Sequence, residues 1–397
     1  SDLSNMNHRK KLQCFLKKSA AVGYISLSLA FSSVFAGIAY AGPADDTSLT
    51  TPSPGPGSGP GAEVPVDNSY YNQRLSDPVV KPVDKYSYEQ MEYDISALAA
   101  RYGNRMTINV IGQSLDGRNI YDIIIGNPAA PKKILFQGAI HAREYIVVPL
   151  MMQQLEYMLA FYDTGTYNDQ PLSSVLNNVA VHYIPMANPD GVTLSQFGES
   201  AIRSEELRQT IQNCYTLDIA DARTALSYEE YLTRWKSNAR GVDLNHNFDA
   251  GWDTLNPTLN HNSFTDYKGP SPLSEPESQA LANLAQQNAF SAVINYHAMG
   301  RVLYWDTEGN QKAAESYDMA LAASGVTGYQ VLASKGVGGY KDWLQKKGNP
   351  VPGLTIEVGR STCPVAFSEY QSIWDQNKQI PALFCKYIIT QIGRASC

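Results

Sequence analysis

Basic charge, cysteine and repeats are all scarce in this 397-residue chain. Its 31 Lys+Arg stand against 38 Asp+Glu, a net charge of −7, and only 17% of residues are charged. A surface without basic excess gains no long-range attraction from polyanions, so nucleic acid and anionic lipid are not expected partners. Charge this sparse, beside 43% hydrophobic residues, also excludes a charge-rich disordered chain and leaves material for a large core. There are five cysteines and no C-x-x-C pair, so neither a thiolate metal site nor a dithiol redox motif is expected. No internal repeat of the kind used by wall-binding modules is visible.

The one long apolar run lies near the start. Arg9, Lys10, Lys11, Lys17 and Lys18 precede an apolar stretch from Ala20 to Ala41, which ends in Ala39-Tyr40-Ala41. That order of features reads as an export signal over residues 1–41, cleaved after a small-x-small site. Ser26, Ser28, Ser32 and Ser33 weaken the rival reading of a permanent anchor, and Cys14 lies on the wrong side of the run for a lipoprotein. Without residues 1–41, 26 Lys+Arg would face 37 Asp+Glu, a net charge of −11. The expected product is secreted, in the cell wall, periplasm or medium, with no membrane anchor. Residues 42–80 read as a linker, since TPSPGPGSGPGAEVP at 51–65 cannot pack a core. Residues 81–397 form the expected folded domain. Four cysteines would remain, and Cys363 with Cys385 is the first pairing expected among them.

Periodicity then outlines the domain. Apolar Met91, Ile95 and Leu98 predict a helix over Tyr88–Tyr102. Strands are expected at Met106–Ile111, Ile120–Ile125, Lys133–Ile140, Asn178–Met186, Ser291–Tyr296 and Gly353–Val358. Further helices are expected at Glu144–Tyr162 and around Glu275–Asn288, with a turn at Asn188-Pro189-Asp190-Gly191. Strands alternating with helices imply an α/β fold.

The strand ending at Ile140 runs directly into His141-Ala142-Arg143-Glu144. Two ligands three residues apart at a helix start share one face and can meet one ion. Alone, H-x-x-E is weak, because Glu144 could simply favour a helix N-terminus. His297 and Glu357, however, also stand at strand ends, where open α/β sheets form their sites. Singly, His297 could be a core histidine and Glu357 an ion-pair partner; their joint placement favours a site. Two imidazoles and one carboxylate with an open fourth position are what a hydrolytic zinc wants.

These motifs, with Asn188-Pro189-Asp190-Gly191, Gly241-Val242-Asp243-Leu244-Asn245 and Thr355-Ile356-Glu357, resemble in order those of the zinc metallocarboxypeptidase (funnelin) family, over about Lys85 to Ile392. The resemblance implies a mixed eight-stranded twisted sheet with helices on both faces. It implies one Zn2+ held by His141, Glu144 and His297, Glu357 as general base, and Asp243 behind the first histidine. The oxyanion-stabilising cation falls on Lys236 or Arg240, and spacing leaves both open. Asn245, His246, Tyr340, Lys341 and Asp342 fall at substrate-binding positions.

The chain departs from the family pattern in three places. His246 stands where an arginine usually clamps the substrate's C-terminal carboxylate, a fork that imidazole cannot reproduce. Lys341 stands in the pocket for the residue after the cut, where it would meet an acidic group; an ordinary exposed lysine is the plainer alternative. The family's phenol falls on Ser334, with Tyr340 a substitute. With Tyr267-Lys268-Gly269-Pro270 and Ser274-Glu275-Pro276-Glu277, these departures resemble the bacterial branch cleaving γ-D-glutamyl–diaminopimelate bonds of peptidoglycan stem peptides. The expected function is therefore an exported zinc peptidase acting on such peptides. A carboxypeptidase for C-terminal, including acidic, residues is the alternative, and an inactive peptidoglycan-binding relative the third reading. His182 and His261 have no assigned role.

Overall fold

The computed structural model describes residues 66–391. The expected signal, residues 42–65 of the linker, Cys14 and Cys397 lie outside the described residues. An eight-stranded mixed sheet organises the rest, as the resemblance implied. Its strands are β1 (Met106–Gln113), β2 (Asn119–Ile125), β3 (Lys132–Gly138), β4 (Val179–Ile184), β5 (Ala292–Ala298), β6 (Val302–Tyr304), β7 (Gln330–Leu332) and β8 (Gly353–Val358). Their order across the sheet is β1-β2-β4-β3-β5-β8-β6-β7. The central run β4-β3-β5-β8 is parallel, and antiparallel neighbours flank it at β2 and β6.

Parallel strands are covered on both faces, so they carry apolar residues on both. In β3, Ile134 and Phe136 enter the larger core, under helix α1 (Tyr88–Tyr102) and helix α2 (Val147–Ala160). Leu135 points the other way, toward Val293, Leu281 and Ile184 beneath helix α3 (Pro276–Gln287). Helix α1 occupies the expected residues: Ser87 caps it by accepting from the Gln90 N–H at 3.0 Å. Among the described residues, no helix is long and apolar enough to cross a membrane.

Four local expectations are corrected. Helix α2 begins at Val147 rather than Glu144, because residues 141–147 first make two tight turns, Glu144 N to His141 O and Val147 N to Glu144 O, each 3.3 Å. Asn188-Pro189-Asp190-Gly191 opens a helix, Pro189–Phe197, with Asn188 as cap and Pro189 in its first turn. Cys363 and Cys385 are not paired: Cys385 is buried inside the helix Ile380–Thr390, whereas Cys363 sits in a loop with its Sγ 3.6 Å from the Arg143 carbonyl. The folded part also begins earlier than Lys81. Tyr70, Tyr71 and Val80 are core residues, and the buried Glu156 carboxylate accepts from the N–H groups of Val79 (2.6 Å) and Val80 (2.8 Å).

Removing that segment would delete three core side chains, whose burial is worth about 1.5–3 kcal/mol each, and strand the Glu156 oxygens. A chain starting at Lys81 should therefore melt at least about 10 °C below one starting at Val66; equal melting temperatures in calorimetry would contradict this packing.

Candidate metal centre and catalytic cleft

Three neighbouring strands, β3, β5 and β8, run parallel and end together. In their register Gly138 lies opposite Tyr296, and His297 opposite Glu357. The chain leaving β3 therefore delivers His141 and Glu144 beside His297, and Glu357 stands one strand further along. His141 Nδ1 lies 2.7 Å from Glu144 Oε2, and His297 Nδ1 lies 2.9 Å from Glu144 Oε1. The two Nδ1 atoms are 3.2 Å apart. All three side chains are buried.

Burial works against the Glu144 charge, but the two imidazoles outweigh it and hold the carboxyl well below its usual range. For His141, burial disfavours the cation while Glu144 and Asp243 favour it, and the net direction is upward. A set of two nitrogens and a carboxylate gathered this closely fits a zinc shell, whose bonds of about 2.0–2.1 Å leave one position open. Residues three apart thus meet one ion from successive turns, and no helical face is needed.

Behind His141, Asp243 is fully buried. Its Oδ1 faces His141 Nε2 at 3.2 Å and accepts from the Asn245 N–H, also at 3.2 Å. Burial would raise this carboxyl, yet His246, Lys236 and His141 together keep it well below its ordinary value.

A cleft of about 430 Å³ opens over these groups, lined by His141, Arg143, Glu144, Lys236, Met299, Glu357 and Cys363, with Ala298. Glu357 keeps partial solvent access at its rim. Burial pushes its carboxyl up to about 7; His297 opposes this, Glu144 adds to it, and Lys236 opposes it. Lys236 stays protonated, because Asp243 and Glu144 outweigh the cost of its burial. Of the two candidate cations, only Lys236 lines the cleft. Arg240 is turned away, with Nε and a terminal nitrogen each 3.0 Å from the Glu275 carboxylate.

The residues expected to hold substrate are not brought to this cleft. Lys341 is buried, with Nζ bonded to the Asp306 carbonyl (2.8 Å), Asp342 Oδ1 (2.8 Å) and Gln345 Oε1 (3.3 Å), so its three donors are used. That corrects its expected meeting with a substrate carboxylate. Tyr340 is buried, and its hydroxyl donates to the Leu281 carbonyl at 3.0 Å, which rules it out as the substitute phenol. Ser334 is exposed. Asp342 caps its own helix through the Gly339 N–H (3.0 Å), and Asn245 Oδ1 accepts from the Tyr340 N–H (3.1 Å). His246 is half-buried, with Nδ1 3.4 Å from the Asp266 carbonyl. The sequence reading assigned no role to Arg143 or Met299 and offered Cys363 only as a disulfide partner, yet all three line the cleft. Arg143 lies between two ligands in sequence, which was the available signal; nothing local marks the other two.

His297→Ala should remove stoichiometric zinc from the folded protein. Asp243→Ala should leave zinc bound but weaken it about 10–100-fold. Metal titration checks both, and undiminished zinc in His297→Ala would contradict the ligand set.

Comparison with known proteins agrees with this geometry. Residues 91–379 match the zinc carboxypeptidase family, Peptidase_M14. A Lysinibacillus sphaericus protein named γ-D-glutamyl-L-diamino acid endopeptidase 1 is 34% identical over 310 residues, which is 77% of this chain and 73% of the relative. Carboxypeptidase O of Bos taurus is 24% identical, over 70% of this chain and 74% of its own length. Among solved structures, carboxypeptidase A of Helicoverpa armigera superposes with a TM-score of 0.57 at 19% identity, covering 82% of this chain and 77% of that one. The two histidines and the glutamate gathered at two neighbouring strand ends are the donors such an enzyme requires, and the chain belongs to the zinc carboxypeptidase family.

Proposed function

We propose that this zinc metallopeptidase acts outside the cytoplasm and hydrolyses the γ-D-glutamyl–diaminopimelate amide of peptidoglycan stem peptides. One observation carries the reading. His246 replaces the arginine that clamps a C-terminal carboxylate, and its Nδ1 already faces the Asp266 carbonyl at 3.4 Å and Asp243 Oδ2 at 3.8 Å. A cleavage that needs no such clamp suits an endopeptidase. The name carried by the L. sphaericus relative supports the same bond. Two cations, Arg143 and Lys236, line the cleft of an otherwise acidic protein, which suits a peptide bearing carboxylates near the cut.

In this account His141, Glu144 and His297 hold the zinc. When bound, that ion polarises the scissile carbonyl and acidifies a water molecule. Glu357 takes a proton from the water as its oxygen bonds to the carbonyl carbon. The Lys236 ammonium faces the oxyanion that develops on the carbonyl oxygen. Glu357 then passes its proton to the amide nitrogen, the C–N bond breaks, and the proton left on the new carboxyl group moves to the amine, so a carboxylate and an ammonium ion leave. Asp243 keeps the His141 ring oriented throughout.

Glu357→Gln should keep one zinc per chain and lose about 10²–10⁴-fold in kcat; activity near the wild-type level would remove Glu357 as the base. The proton must be off Glu357 at the start, so kcat/KM should rise with pH through its pKa. The zinc charge draws that pKa below the value of about 7 set by burial, so the acid limb should fall below pH 7 and disappear in Glu357→Gln. For the substrate, a γ-D-glutamyl–diaminopimelate peptide should be cut with and without a C-terminal amide, at rates within about 10-fold. Strict dependence on a free C-terminal carboxylate would instead establish a carboxypeptidase, and no turnover with zinc bound would establish an inactive relative.

A further inference from the structure

The turn carrying two metal ligands and the segment carrying Lys236 are distant in sequence, and one side chain fastens them together. Asn188 is fully buried. Its Nδ2 donates to the carbonyl of Ile140 at 3.1 Å and to that of Ser237 at 3.0 Å. The first carbonyl immediately precedes His141, and the second immediately follows Lys236. The Asn188 Oδ1 accepts from the Gly191 N–H at 3.1 Å, so the same amide caps the helix Pro189–Phe197. The Asn188 backbone N–H donates to Ala139 at 3.1 Å, and Ala142 donates to the Lys236 carbonyl, also at 3.1 Å.

The space around this amide is fully used. A Cβ on Gly191 would stand 2.6 Å from both Asn188 Nδ2 and the Ser237 carbonyl oxygen, and 2.7 Å from Asn188 Oδ1. Glycine at 191 is therefore part of the same arrangement. The chemistry also selects the residue at 188: a primary amide supplies two donors and an acceptor, whereas aspartate supplies only acceptors.

We propose that Asn188 is a positioning residue, which sets the separation between the His141–Glu144 turn and Lys236 by clamping the carbonyls of Ile140 and Ser237. Lys236 must face the oxygen of a carbonyl held at the metal, and an error of about 1 Å there costs about 10²-fold in rate. This inference rests on the role given to Lys236 above.

Two substitutions test it by different routes. Asn188→Asp keeps the oxygen that caps the helix but sets an acceptor against two carbonyls. Gly191→Ala keeps every hydrogen-bonding group and wedges a methyl into the clamp. Each is made alone and with Lys236→Met, and zinc content, kcat and KM are measured. Zinc should remain at one per chain, kcat should fall about 10²-fold, and KM should stay within about 3-fold. In the Lys236→Met background the same changes should cost less than about 5-fold, since the group they position is gone. Unchanged kcat in both variants, or equal losses in both backgrounds, would overturn the clamp while leaving Lys236 in place. If Lys236→Met alone keeps full turnover, both the Lys236 role and the clamp's purpose fall.

Discussion

Everything in this site depends on one carboxylate held between two imidazoles. Glu144 is buried, and an unpaired carboxylate so placed would cost several kcal/mol. His141 and His297 offset that cost, at 2.7 and 2.9 Å, and they arrive from different strands. The constraint therefore reaches beyond the site. β3, β5 and β8 must end in register, and the chain after Gly138 must turn twice before α2 starts. A single-residue slip of β5 against β3 would move His297 to the other face of the sheet. The apolar residues on both faces of the central strands prevent that slip, so the core and the site specify each other.

A second layer holds the first in place. Asp243 lies behind His141 and draws Lys236 and His246 toward it. Arg240, bound by Glu275, and Asn238, which donates to Glu275 Oε1 at 2.8 Å, pin the segment between Lys236 and Asp243. Asn188 fastens the start of that segment to the residue before His141. Cations and carboxylates crowd this small volume, and fixed hydrogen bonds rather than mobile side chains set which of them faces the cleft.

Much of this was legible in the sequence, for identifiable reasons. His141, Glu144, His297 and Glu357 follow runs of Ile, Val and Leu that can only be buried strands, and strand ends are where such sheets place their sites. Asp243 carried no signal of its own beyond the family motif. Side-chain direction was not legible. Tyr340 and Lys341 sit at the start of a short helix, and only packing against Leu281 and Asp306 turns them inward. Strands of three residues, Val302–Tyr304 and Gln330–Leu332, are too short for a period to register. Cysteine spacing carries no information about distance, and so Cys385 in the core and Cys363 at the cleft looked alike. Proline-rich composition likewise disguised Tyr70, Tyr71 and Val80 as linker, although each is buried.

The most direct test of the central claim is to locate the ion itself. Crystals of the zinc-loaded enzyme, measured at the zinc absorption edge, should give one anomalous peak per chain within bonding distance of His141 Nδ1, the Glu144 carboxylate and His297 Nδ1. A peak instead beside Asp243, His246 and Asp266, a second group among the described residues close enough to hold a metal, would contradict the account, as would no peak at all.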